Sequence, residues 1–308
     1  MKELPTPNLP QVNLMELRFG HAARTAPGEA RTSREGGASR EIRVGDWPAG
    51  SAPLSPAKPA AAREPDFEVR WARHADEVRA AQRLRHEVFV GEMGARLTLP
   101  PGAPSGHDVD LFDDFCEHLL VRTLATDDNP GQVIGTYRVL TPAAARRAGG
   151  YYSDTEFDLT RLRPLRDRMV ELGRSCVHAD HRSGGVILAL WGALAQFMER
   201  NAMETVIGCA SISMRDGGHC AASLWARLRE THLAPIDCQV RPRVALPVDD
   251  LEQGLDVDPP ALIKGYLRLG AKVLGAPAWD PEFNTADLPL LTRLSDMPER
   301  YRRHFLGM

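Results

Sequence analysis

Two adjacent glycines, Gly184 and Gly185, separate a run rich in strand formers, RMVELGRSCV, from a stretch that carries Val186, Ile187, Leu190, Leu194, Phe197 and Met198 at helical spacing. A second strand-like run, ETVIGCAS, follows the helix. Strand, glycine turn, helix and strand in succession commit the chain to a layered α/β domain, because each element buries one face against the next. The turn also leaves the first N–H groups of the helix without intrahelical partners, an arrangement that suits a phosphate or pyrophosphate. Two glycines after a strand are equally what a tight turn needs, so the spacing alone leaves both readings open.

The rest of the chain is read outward from this unit. Residues 1–65 are dominated by Pro, Ala, Gly, Ser and Arg, with too few large apolar side chains to offset the entropy of ordering, and are expected to be disordered. Folding is expected from 66 to 308. FEVRWAR alternates as a strand, and ADEVRAAQRLRHEVFVGEM has helical spacing. HLLVRTLA and QVIGTYRVL, separated by DDNPG, predict an antiparallel hairpin. A helix from Asp216 to about His232 and a strand in QVRPRVAL, interrupted by Pro242, come next, followed from about residue 250 by a helical and loop extension.

Several function classes are excluded at this level. A net charge of −3 gives no basic footprint for nucleic acid. No apolar run reaches the roughly 18 residues of a membrane span, and the first residues lack the apolar core of a signal peptide, so a cytoplasmic protein is expected. The five cysteines include no CxxC pair, which argues against a disulfide framework or a zinc site. The acidic loop with Asp108, Asp110, Asp113, Asp114 and Glu117 lacks the glycine of a calcium loop, so no metal is expected. His232 and Asp237 meet an HxxxxD spacing, but with 10 histidines such a match is expected by chance.

The order of strand, ELGRSCV, HRSGG, helix and strand resembles the cofactor-binding unit of GNAT acyltransferases. That resemblance implies a mixed, mostly antiparallel sheet flanked by helices, with the phosphopantetheine arm of a donor gripped by Arg182, Gly184 and Gly185 and by the strand end at Cys176, Val177 and His178. RLRHEVF with Arg85, DLFD with Asp110 and Asp113, GTYRVLTP with Arg138, and ELGR with Glu171 and Arg174 are similar to segments of acyl-homoserine lactone synthases. They imply acyl carrier protein as donor and partner, with no permanently bound cofactor. The tryptophan expected after the RxxxF segment is absent from GEMGARL, which separates the chain from lactone formation. YYSDTEFDL, LALWGALAQF and PPALIKGYLRLGAKVLGAPAWDPEFNTADL resemble blocks of the ornithine-lipid N-acyltransferases, over roughly Val69 to Phe305. The implied reaction joins a 3-hydroxyacyl chain to the α-amine of ornithine, giving lyso-ornithine lipid, with peripheral contact at the inner membrane face through that product. A lactone synthase and a non-catalytic acyl-carrier or lipid-binding module are the alternatives.

Chemistry assigns provisional roles. An amine attacks a thioester only when neutral, so a base is required, and Glu171 is the first candidate, its alternative being an ion pair with Arg174. Backbone N–H groups from Cys176 to His178 are expected to face the oxyanion. Cys176 itself reads as a buried thiol or, alternatively, as a nucleophile. Asp110 and Asp113 either hold a cationic acceptor, with Arg85, Arg138 or Arg174 matching its carboxylate, or form a solvated loop. Lys264 and Arg268, four apart on a helix, either face an acidic carrier protein or are a solvated face.

Overall fold

The computed structural model describes residues 66–127, 130–182 and 184–307. The expected disordered segment, 1–65, lies outside the described residues. β1 (Phe67–Trp71) leads into α1 (Ala75–His86), which continues to Glu92 as a π-helical turn. β2 (Glu117–Thr123) and β3 (Val133–Leu140) form the expected antiparallel hairpin. The short helices α2 (Pro142–Ala148) and α3 (Ser153–Glu156), with β4 (Phe157–Asp158), lead to β5 (Met169–Val177). α4 (Gly185–Arg200), β6 (Thr205–Ser213) and α5 (His219–Thr231) follow. The remainder holds β7 (Arg241–Pro242), α6 (Ala261–Arg268), β8 (Lys272–Val273), β9 (Ala278–Asp280), β10 (Thr285–Arg293) and α7 (Glu299–Leu306).

The main sheet runs β1-β2-β3-β5-β6-β10-β8, with β9 also on β10, while β4 pairs with β7 apart from it. All neighbours in the main sheet are antiparallel except β5 and β6. One face packs under α4, where Val186, Leu190, Leu194 and Phe197 meet Leu119, Val121, Tyr137 and Val139. The opposite face carries Leu140, Tyr151, Phe157, Leu162, Met169, Ile207 and Leu291. The helical extension expected from about residue 250 contains α6 and α7.

Two elements differ from the sequence reading. QVRPRVAL yields only the two-residue β7, because Pro242 supplies no N–H to a ladder. The nine-residue β10, read as part of the extension, instead pairs with β6 along its whole length, from Thr285↔Ser213 to Arg293↔Thr205. Pro289 masked it; at that position the chain gives its carbonyl to Leu274 N–H, 2.9 Å away.

Three local features set up the site. β5 and β6 pair only from Met169–Glu171 to Thr205–Ile207, although β5 continues to Val177 and β6 to Ser213. β3 retains β5 and β10 retains β6, so the sheet opens between them. At the point of divergence a Cβ on Gly208 would lie 2.6 Å from the Leu172 carbonyl oxygen, so only glycine lets the strands approach before they part. β5 is also bulged: Gly173 faces Arg138 and Cys176 faces Thr136, leaving Arg174 and Ser175 opposite a single residue. Arg174 has φ +49°, a left-handed conformation that is uncommon for a non-glycine residue and clusters at functional sites.

Candidate functional site: a cleft between diverging strands

The gap between β5 and β6 is a cleft of about 230 Å³. Its walls include Phe89 and Met93 from the π-helical turn, Tyr137 and Arg138 from β3, Glu171 to Ser175 from β5, Cys209 to Ser211 from β6, and Asp280, Phe283 and Asp287 near the C-terminus. Tyr137 and Tyr266 hydrogen-bond through their hydroxyls across the back of the cleft.

Glu171 is buried and lines this cleft. Its Oε2 accepts the Tyr152 N–H at 2.6 Å, and its Oε1 accepts both the Ser153 N–H at 2.7 Å and the Ser153 hydroxyl. Burial raises its pKa, and these hydrogen bonds oppose the rise. The expected alternative, an ion pair with Arg174, is not formed: Arg174 Nη2 donates to Asp110 Oδ2 at 3.1 Å, and its Nε lies 3.3 Å from Asp108 Oδ2. Glu171 therefore anchors the turn that starts α3, and Tyr152 with it.

Asp108, Asp110 and Asp113 of the acidic loop are held in ion pairs, whereas Asp114 is exposed. Arg85, fully buried, donates from Nε to Asp108 Oδ2 at 2.8 Å, from Nη1 to Asp113 Oδ1 at 2.9 Å, from Nη2 to Asp113 Oδ2 at 2.7 Å, and from Nη2 to the Asp108 carbonyl. Arg138 Nη1 reaches Asp110 Oδ1 at 2.5 Å and Asp113 Oδ1 at 3.1 Å. Burial alone would raise the pKa of Asp113, but Arg85 and then Arg138 outweigh it and hold the carboxyl well below the usual range. Asp110 is lowered in the same way, burial being overcome by Arg138 and Arg174. Of the four expected acceptor-binding residues, Arg138 alone lines the cleft; Arg85, Asp110 and Asp113 form the wall behind it. Three guanidiniums and three carboxylates brought together pair with one another, which takes Arg85, Asp110 and Asp113 away from the cleft surface.

At the glycine turn, Gly184 caps α4 with φ +100°. A Cβ there would meet nothing within 4 Å, so the glycine answers to backbone conformation, and among the described residues no side chain caps the helix. Arg182 Nε donates to the Val177 carbonyl at 2.9 Å, and its Nη2 pairs with Glu92 at 2.8 Å. The His178 N–H donates to the Ile134 carbonyl at 2.8 Å, which removes it from the expected oxyanion donors. His178 Nδ1 accepts the Asp180 N–H at 3.3 Å. Cys176 is buried and is not among the residues that line the cleft, and burial pushes its thiol up to about 12, which favours the buried-thiol reading over the nucleophile. Lys264 pairs with Asp258, and Arg268 is exposed one turn later.

Sequence reading missed the far wall. Asp287 on β10 and Asp280 on β9 are both buried at the cleft, and Glu156 ends α3 beside them electrostatically. Arg174 stacks between Tyr152, 5.0 Å from its guanidinium carbon, and Phe283, 4.7 Å away. The available signal was the period-2 alternation of Ala286, Leu288 and Leu290, which places Asp287 on the other face of a strand.

Residues 84–192 match the model of the acetyltransferase (GNAT) domain family. An L-ornithine N(alpha)-acyltransferase of Rhodobacter capsulatus is 39% identical over 247 residues, covering 78% of this chain and 94% of that protein. The chain belongs to the L-ornithine N(alpha)-acyltransferase family. Another member, from Agrobacterium fabrum, is 35% identical over 258 residues, 78% of this chain and 85% of its own. The crystal structure of the AHL synthase LasI is 14% identical, with a TM-score of 0.43 over 78% of this chain and 95% of that one. The family match extends past the GNAT segment, and in this chain the residues beyond 192 supply β6, β9 and β10, one whole side of the cleft. Among the described residues no helix is long and apolar enough to cross a membrane.

Proposed function

We propose that this chain transfers a 3-hydroxyacyl group from the phosphopantetheine thioester of acyl carrier protein to the α-amino group of ornithine, releasing lyso-ornithine lipid and the free carrier thiol. The observation that carries this reading is the separation of β5 from β6 beyond Glu171 and Ile207, in the sheet whose next element after β5 is α4, whose N-terminus no side chain caps among the described residues. A carrier arm has its phosphate met by the first N–H groups of α4, which are polarised by the helix dipole. The thioester carbonyl then lies along the edge of β5 that β6 has left, where backbone donors around the bulge at Arg174 face charge developing on oxygen. No covalent acyl-enzyme is required, in keeping with the raised Cys176 thiol.

The acceptor amine enters from the side of β6 and β10. Of the Arg174 donors, Nη2 is engaged by Asp110 and Nε is buried 3.3 Å from Asp108 Oδ2, so Nη1 is the group offered to the carboxylate of an amino acid. Glu171 acts by holding Tyr152 against that guanidinium. Arg182, Lys264 and Arg268 are the basic groups offered to an acidic carrier, and the amphiphilic product accounts for a peripheral encounter with the inner membrane face.

The test is product mass spectrometry and kinetics with purified protein, ornithine, and the same 3-hydroxyacyl group on carrier protein or on coenzyme A. Acyl-ornithine should form with kcat/KM at least about tenfold higher from the carrier thioester, roughly 1.4 kcal/mol of transition-state preference. Equal values with both donors refute the carrier; absence of acyl-ornithine refutes the acceptor.

A further inference from the structure

Asp287 is a buried carboxylate on the wall of the cleft between β5 and β6. It is 4% exposed and lines the cavity, yet it makes no ion pair among the described residues. Its Oδ1 accepts the Thr285 hydroxyl at 2.9 Å, and across the ladder it faces Ser211 of β6. The other acidic group of the site, Asp108, Asp110 and Asp113, has Arg85, Arg138 and Arg174 as partners. Around Asp287 the nearby charges are of its own sign: Asp280 of β9 acts directly on it, and Glu156 of α3 feels both. Arg174 is a cation that acts on both Asp287 and Glu156, but its Nη2 already donates to Asp110. A buried anion surrounded by anions is costly unless a cation arrives.

The ammonium of an amino-acid acceptor is a cation of the kind such a carboxylate would pair with. Asp287 sits on the β6–β10 side, beyond the last β5–β6 pair, so it faces the gap from the side opposite the β5 edge that receives the thioester carbonyl. Glu171, by contrast, already accepts three hydrogen bonds from protein donors. We propose that Asp287 receives the acceptor's ammonium group and takes its proton, making it the general base of acyl transfer. This rests on the amine-acylation reading given above.

The proton balance closes. The ammonium gives one proton to the Asp287 carboxylate, and the neutral amine forms the C–N bond to the thioester carbon. Collapse of the tetrahedral adduct breaks the C–S bond, and the sulfur leaves with a second proton lost from the same nitrogen. The amide nitrogen retains one hydrogen, the carrier thiol gains one, and Asp287 returns its proton to solvent. The environment suits a base working near neutral pH, since burial, assisted by Asp280 and opposed by Ser211, lifts Asp287 to about 6, and burial with Asp287 and Asp280 lifts Glu156 to about 7. Cys209 of β6, also in the cleft, is pushed well up by burial and then by Asp287, so it stays a neutral thiol there.

The experiment compares wild type, Asp287→Asn, Asp287→Glu and Glu171→Gln in the full chain, reading thiol release from the acyl-carrier thioester against ornithine and a panel of other primary amines from pH 5 to 9. Asp287→Asn is expected to stay folded by circular dichroism, to lose about 10²-fold or more in kcat, and to lose the acidic limb near pH 6. Asp287→Glu should recover part of the rate and keep the limb. Glu171→Gln should keep the limb. A folded Asp287→Asn enzyme within threefold of wild type, or an acidic limb that vanishes in Glu171→Gln instead, overturns the assignment. Because thiol release is read against the whole panel, wild type that acylates another amine but not ornithine refutes only the acceptor, and Asp287 is then judged on that amine.

Discussion

Replacing Arg85 with methionine separates a wall residue from a substrate ligand. Arg85 is fully buried and donates to both carboxylate oxygens of Asp113, to Asp108 Oδ2 and to the Asp108 carbonyl. Methionine fills much of the volume but leaves Asp108 with Arg174, and Asp113 with Arg138 and the Gln82 amide, as their remaining partners. Breaking one partner from a buried ionic network costs about 3–5 kcal/mol. At roughly 2–4 °C per kcal/mol for a domain of this size, the melting temperature should fall by about 6–20 °C. Thermal unfolding by circular dichroism measures it, alongside the KM for ornithine of the folded enzyme, which should change less than about twofold because the side chain lies behind the cleft. The loss should depend on pH with a definite sign. Arg85 and Arg138 hold the Asp113 pKa below its unfolded value, so their stabilisation is present above about pH 4 and lost as pH falls through the folded value. The wild-type advantage should therefore be largest at neutral pH and shrink in acid. Adding Asp113→Leu to Arg85→Met should restore part of the stability through the coupling expected between contacting residues. A melting temperature within 2 °C of wild type combined with a strongly raised KM would refute the wall assignment and return Arg85 to the acceptor.

Three further outcomes follow from the cleft. The raised pKa of Asp287, about 6 against an ordinary value of 3.8, means that its contribution is most favourable at low pH and declines as pH rises through about 6, leaving about 3 kcal/mol of destabilisation at pH 8; Asp287→Asn should therefore melt above wild type at pH 8, with the gap closing below pH 4. A lower melting temperature for the variant at pH 8 would contradict this. Gly208→Ala should cost about 1–3 kcal/mol in thermal unfolding, because its Cβ would lie 2.6 Å from the Leu172 carbonyl oxygen. Gly173→Leu should leave the melting temperature nearly unchanged, since a Cβ there meets nothing within 4 Å, while obstructing the cleft and raising KM for the thioester. Equal stability losses in the two glycine variants would sink the account of the diverging strands.

What could be read from the chain depended on whether the signal was local. The hairpin of β2 and β3, the strand β5, the Gly184–Gly185 turn and the apolar face of α4 each follow from short-range periodicity and turn chemistry. β10 escaped because Pro289 argues against a strand, and its partner β6 lies more than seventy residues earlier. Glu171 was correctly placed on the strand beside the turn, but the donors that occupy it, Tyr152 and Ser153, come from a loop 18 residues away for Ser153 and 19 for Tyr152. The neutralisation of Asp110 and Asp113 by Arg85, Arg138 and Arg174 is likewise a product of folding, since no spacing rule pairs charges more than twenty residues apart. Asp287 remained unseen for the same reason as the strand that bears it.

The pairing of β6 with β10 also governs the order of events during synthesis. β6 and everything it joins on one side are complete by Ser213, yet its other edge has no strand until the chain has been made as far as Arg293. A nascent chain thus exposes a nine-residue edge, a template for pairing with other chains, through the time needed to add about eighty residues, several seconds at typical elongation rates. Completion of the cleft wall and protection from aggregation arrive in the same step, when the last long strand docks.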